Sequence, residues 1–422
     1  MGKILIRSAH IIDANSPFNQ QLKDILIDKG LIVGIGKKLN ADKSTKIIEA
    51  QNLHVSPGWM DLRVDFSEPG HEYKEGIESG LDAAAHGGFT SVVVMPSTQP
   101  AIDNRSSVEF LKTRGINHIV KLLPAGTVTV KREGEELAEM YDMKQGGAVV
   151  FTDDKRSISN NRLLFKALTY VQAFDGLVMD FPMDRDWANE GQIHEGEVST
   201  MVGMKGIPDE AEAMIVARDI TMLEYTGGKL HLGPISSGMS VDLIRKAKKK
   251  GLSVTAETTH HNIFLTDKAL LGFESNFKLM PPLRDEKNRK ALLKGLKDGT
   301  IDVISSDHKP QDFDEKKLEF GRSSYGAIGL ETSFSVSLMA SGDLDLTIEK
   351  LVSGPRKALG MELPVIEKGA KAELTLFNPD AEWEVNEQSL HSKSLNSPYL
   401  GRTLKGITLG ILRDGKMFVK KT

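Results

Sequence analysis

Eight short apolar runs, at residues 58–65, 89–96, 118–126, 147–153, 177–182, 229–235, 252–259 and 301–307, alternate with helical patterns through the middle of the chain. Strand and helix in strict alternation leave few options besides a parallel sheet covered by helices. One helix illustrates the pattern: Pro208 to Tyr225 carries acids in its first turn and meets Gly227-Gly228 just past its end. Eight such units fit a (β/α)8 TIM barrel, whose usual length is about 250 residues or more. The barrel is expected over residues 56–364. Both flanks, 1–55 and 365–422, are β-rich instead, with Ile4-Leu5-Ile6, Asp24-Ile25-Leu26-Ile27 and Leu31-Ile32-Val33 at one end. Asp28-Lys29-Gly30 reads as a hairpin turn, and Ala372 to Phe377 and Gly415 to Val419 repeat the style at the other end. The two ends are expected to build one small composite β-sandwich domain.

Several function classes fall away on composition. A formal net charge of -4 offers no footprint for nucleic acid, and the basic run Arg245 to Lys250 reads as a solvated helix face. With Cys 0 there is neither a disulfide nor a thiolate zinc site. The apolar stretch Ile4 to Ile6 is too short for a signal peptide, and nothing approaches a membrane span, so a cytoplasmic protein is expected.

In a barrel of this kind the chemistry sits at the C-terminal ends of the strands. Those ends carry Arg63, Asp65 and Ser67 (first), Ser97 (second), Asp153 and Asp154 (fourth), Phe181 (fifth), Pro234 (sixth), and Asp307 with His308 (eighth). A catalytic zinc needs about three His or carboxylate ligands. Only Asp65, Asp153, Asp154, Asp307 and His308 are possible donors of that type, and Arg63 cannot donate an electron pair at all. His260 and His261 read as structural, and His308 either orients Asp307 or is a plain strand-end histidine. Ser97 and Ser236-Ser237 lie in no recognisable nucleophile elbow.

The chain resembles a dihydroorotase of the cyclic-amidohydrolase family over nearly its full length. The framework that carries the likeness includes Glu68-Pro69-Gly70, Gly87 to Pro96, Asp103-Asn104, His194-Glu195-Gly196, Ala256 to His261, Pro281-Pro282-Leu283-Arg284, Ser306-Asp307-His308 and Gly329-Leu330-Glu331-Thr332. The resemblance implies a zinc site with His-x-His on the first strand, which falls on Arg63 and Asp65 here, and a substrate-binding arginine that falls on Ser67. The family's second-strand asparagine falls on Ser97, its strand-five and strand-six histidines on Phe181 and Pro234, and the asparagine before Pro-Pro-Leu-Arg on Met280. What survives is an acid after strand four, Asp153 or Asp154, and Asp307 at the family's proton-handling position.

No cofactor is therefore expected. The weak alternative is an oxygen-ligated divalent metal on Asp65, Asp153 and Asp307. Arg63 is expected to stand in for the metals by pairing with Asp153 and Asp307. The resemblance implies a role in pyrimidine biosynthesis, here as a noncatalytic, homo-oligomeric partner or scaffold, for example of aspartate carbamoyltransferase. The alternative is an active dihydroorotase, interconverting N-carbamoyl-L-aspartate and dihydroorotate, or another cyclic amidohydrolase, with an atypical metal site and Asp307 moving the proton.

Overall fold

The structure, a computed structural model, describes residues 2–420. All eight anticipated barrel strands form, at Trp59–Val64, Phe89–Val94, Lys121–Gly126, Val150–Phe151, Val178–Asp180, Leu230–Leu232, Val254–Thr259 and Val303–Ser305. They pair in chain order. Beyond the eighth strand a parallel bridge joins Val64 to His308, and Asp65 N–H donates to the His308 carbonyl at 2.8 Å, so the ring meets itself at the first and last strands. The strands are buried on both faces, which explains why they read as continuous apolar runs. Among the described residues, no helix is long and apolar enough to cross a membrane.

Strands from both ends of the chain join one hydrogen-bonded path. In sheet order they are Lys416–Val419, Thr403–Arg413, Leu374–Glu384, His54–Pro57, Ile4–Ile11, Leu22–Asp28 and Leu31–Gly36, with Lys46–Ile48 paired beside Ile4–Ile11. Ile6, Ile25, Ile32, Val55, Leu374 and Leu412 share a single core, so the N-terminal and C-terminal strands fold over the same apolar interior.

This domain is joined to the barrel by continuous chain. His54–Pro57 pairs with Leu374–Glu384, and after one residue the first barrel strand begins. That residue is Gly58, where a Cβ would come within 2.3 Å of Thr90 Oγ1, so no larger side chain fits between the two sheets. Next to it Trp59 is wholly buried, with its ring centroid 4.7 Å from that of Phe334, 5.5 Å from Phe377 and 6.2 Å from Phe89. Its indole N–H donates to Ser56 Oγ at 2.9 Å. Phe377 belongs to the composite domain and Phe89 to the barrel, which makes Trp59 the apolar joint of the two. Trp59→Ala is expected to destabilise the protein by about 3–5 kcal/mol in urea unfolding, and Trp59→Phe by clearly less.

Candidate functional site

The first barrel strand delivers Arg63 into the centre of the strand ends, where its side chain is about 2% exposed. Its Nε donates to Glu257 Oε1 at 2.6 Å and its Nη1 to Asp154 Oδ1 at 2.7 Å. Nη2 donates to the Gly233 carbonyl at 2.9 Å and lies 3.0 Å from Met179 Sδ, while Nη1 lies 3.7 Å from Met95 Sδ. A single guanidinium thus touches residues on or just after strands two, four, five, six and seven. Gly233 makes room for this, because a Cβ there would stand 2.4 Å from Glu257 Cγ.

Two lysines complete the set. Lys155 Nζ pairs with Asp307 Oδ1 at 2.7 Å, donates to the Met280 carbonyl at 2.8 Å and sits 5.1 Å from the centre of the Phe181 ring. Lys309 Nζ pairs with Asp65 Oδ2 at 3.1 Å, and the other Asp65 oxygen accepts from Ser67 N–H at 2.9 Å. Ser97 Oγ donates to the free oxygen of Asp154. Phe181, Met183, Ile207 and Ala211 pack together with the half-buried Met280 as an apolar cluster beside the charges, and Pro234 follows the Gly233 carbonyl that Arg63 uses.

The cluster sets three cations, Arg63, Lys155 and Lys309, among four carboxylates, Asp65, Asp154, Glu257 and Asp307. Burial opposes the charge on Glu257 and on Asp154. The cations overcome it, holding Glu257 down to about 2 and Asp154 well below the ordinary carboxylate range. Burial likewise works against Lys309, yet Asp65 and Asp154 raise it above its usual value. Asp307 moves the other way, since burial lifts it despite Lys155 and Arg63. Beneath them burial raises Asp61 to about 7, although it accepts from Arg63 N–H and Ser306 N–H, each at 2.8 Å.

Several sequence-based expectations need correction here. Arg63 does take two carboxylates, but they are Asp154 and Glu257, not Asp153 and Asp307. Asp153 turns away and accepts from Val128 N–H, Thr129 N–H and the Thr129 hydroxyl, so it serves the neighbouring loop. The oxygen-ligand trio Asp65, Asp153 and Asp307 is not assembled, because each already has a separate partner. His308 does not orient Asp307: its Nδ1 accepts from Gly329 N–H at 3.2 Å and its Nε2 lies 3.6 Å from Glu75. His260 and His261 are buried, and His261 Nδ1 meets the Tyr399 hydroxyl at 3.0 Å.

The donor set does not fit the zinc that the resemblance implies. Zinc would require His nitrogens or unpaired carboxylates. Here each of the four carboxylates already has an Arg or Lys nitrogen between 2.6 and 3.1 Å away.

Comparison with known proteins agrees with the fold and the framework motifs. A family model described as dihydro-orotase-like matches residues 53–240. A dihydroorotase of Pelobacter propionicus is 39% identical, covering 99% of this chain and 100% of its own. One of Caldicellulosiruptor saccharolyticus is 42% identical, covering 99% and 98%. The chain belongs to the dihydroorotase family. Solved structures show the same architecture in more distant proteins. An L-hydantoinase (dihydropyrimidinase) from Arthrobacter aurescens superposes with a TM-score of 0.87 at 20% identity, covering 100% of this chain and 97% of its own. A dihydropyrimidinase from Brevibacillus agri gives 0.81 at 22% identity, covering 99% and 95%.

Within this dihydroorotase-family frame, sequence reasoning missed Lys155, Lys309 and the role of Glu257. A glutamate in the middle of a buried parallel strand was the available signal, since such a charge is rarely buried without a partner. The pairing has a testable consequence for stability. Arg63→Met leaves Glu257 buried without its cation and takes from Asp154 one of several, and is expected to cost about 3–5 kcal/mol near neutral pH. In the parent protein the depressed Glu257 contributes stability above its unfolded pKa of about 4.3, lost as pH falls through about 2. In the variant the stranded Glu257 carboxylate favours the protonated form, so the sign reverses and stability falls as pH rises. Urea midpoints should therefore diverge between parent and variant from about pH 4.5 to about pH 8.

Proposed function

We propose that this chain is a noncatalytic member of the dihydroorotase family that acts in pyrimidine biosynthesis as a partner or scaffold, for example of aspartate carbamoyltransferase. The observation that carries the reading is the substitution of charge for metal: Arg63 and Lys155 hold Asp154, Glu257 and Asp307 with nitrogen-to-oxygen distances of 2.6–2.7 Å. Family chemistry needs a metal to generate hydroxide near neutral pH and to polarise the amide carbonyl. An ammonium or guanidinium offers neither an open coordination site nor a bound water of lowered pKa. The substrate contacts are altered as well, since Ser67 and Ser97 stand where the family has an arginine and an asparagine, and both hydroxyls point to the aspartates. A site built to pair a substrate carboxylate loses discrimination steeply when those partners go. The intact barrel and composite domain support a role carried by surfaces instead. The same reading expects a homo-oligomer located in the cytoplasm.

One finding favours a second reading, an active dihydroorotase with Asp307 as the proton-transfer group. Curated relatives at 39–42% identity bear that name over full-length alignments. Assay of the purified protein in both directions separates the two. The noncatalytic reading expects no interconversion of N-carbamoyl-L-aspartate and dihydroorotate above background, with or without added zinc, and co-elution with aspartate carbamoyltransferase from the same cells. Turnover that disappears in Asp307→Asn would establish the second reading.

A further inference from the structure

Away from the barrel centre, one group of ligating side chains among the described residues brings three donors together. The imidazoles of His86 and His391 and the carboxylate of Glu331 place donor atoms within 4.8 Å of one another. They come from three separate stretches. His86 ends the helix Ile77–His86, Glu331 follows the last barrel strand, and His391 lies between the strands Leu374–Glu384 and Thr403–Arg413.

Glu331 is already fixed in place. Its two oxygens accept from His391 N–H at 3.0 and 2.9 Å, and one accepts from Ser392 N–H at 3.2 Å. His391 Nδ1 lies 3.0 Å from Glu331 Oε1, a direct contact between the two side chains. His86 Nδ1 is buried without any hydrogen-bond partner.

We propose that His86, Glu331 and His391 bind a divalent transition metal of the zinc class. Two imidazoles and a carboxylate are a familiar donor set for that ion. The rings stack, with centroids 3.2 Å apart and planes 14° from parallel, so a metal lying in both ring planes requires one ring to swing. His391, with its side chain 38% exposed, has room to swing once it gives up its contact with Glu331 Oε1. The C-terminal end of the His86 helix favours a cation at this place. The ammonium of Lys420, near His86, opposes one. A bound ion would clamp the chain between two composite-domain strands onto the barrel.

The test uses untagged full-length protein, stripped with chelator and titrated with zinc chloride by calorimetry, with metal content measured after desalting. One zinc per chain is expected, with affinity weakened about 10–100-fold or more in His391→Ala and in His86→Gln. His391→Ala alters a half-exposed loop side chain, so it keeps the test open should His86→Gln fail to fold. Uptake in Asp307→Asn is expected to match the parent. No zinc uptake, or uptake undiminished in both histidine variants, overturns this site and leaves the noncatalytic reading standing. Uptake lost in Asp307→Asn but kept in His391→Ala would place the ion in the barrel centre and overturn both.

Discussion

A buried guanidinium is costly unless every donor finds an acceptor, and Arg63 meets that demand only where five other strand ends converge. The geometry of the barrel mouth and the state of that side chain are therefore one problem. Glu257 would be a stranded charge without Arg63, Asp154 would lose its closest cation, and Arg63 in turn has no route to water. Networks of this sort are all-or-none, because a half-satisfied buried ion is worse than an apolar side chain. The ring of strands supplies the convergence, and the ion pairs fix which way the strand ends face.

Around that hub the remaining charges fall into order. Lys155 follows Asp154 directly in sequence, and Lys309 comes two residues after Asp307, so each strand end that keeps an acid of the family also supplies a cation. The pairs cross over, Lys155 to Asp307 and Lys309 to Asp65, which ties the fourth strand end to the eighth and the eighth to the first. Asp154 and Asp307 hold left-handed backbone conformations, with φ of 54° and 46°, and Ser67 holds 56°. Strained backbone of this kind persists only where the surroundings over-determine it, as they do at functional sites. Here the surrounding contacts are the salt bridges of Asp154 and Asp307 and the hydroxyls of Ser67 and Ser97.

The fold was largely legible in the sequence because the strands are buried on both faces and therefore announce themselves as apolar runs with breaks at fixed intervals. Even the two-residue strand Val150–Phe151 lies inside its anticipated span. Side-chain direction at the strand ends was not legible. Asp153 and Asp154 are adjacent, and periodicity alone assigns them to opposite faces without saying which is inward. The left-handed backbone at Asp154 aims its carboxylate at Arg63, while Asp153 faces the Val128-Thr129 loop. Lys155 and Lys309 were hidden for a different reason. Long cations near strand ends read as solvated, and only closure of the barrel brings acids 152 and 244 residues away in sequence into reach of their ammonium groups.

The central claim is that cations, not metals, occupy the middle of this dihydroorotase-family barrel. Anomalous diffraction at the zinc edge, from crystals of the full chain soaked in zinc, tests it most directly. The account predicts no anomalous peak among Asp65, Asp154, Glu257 and Asp307, with the Arg63 guanidinium still joining Asp154 and Glu257. A peak coordinated by those carboxylates, with Arg63 or Lys155 displaced, would contradict it.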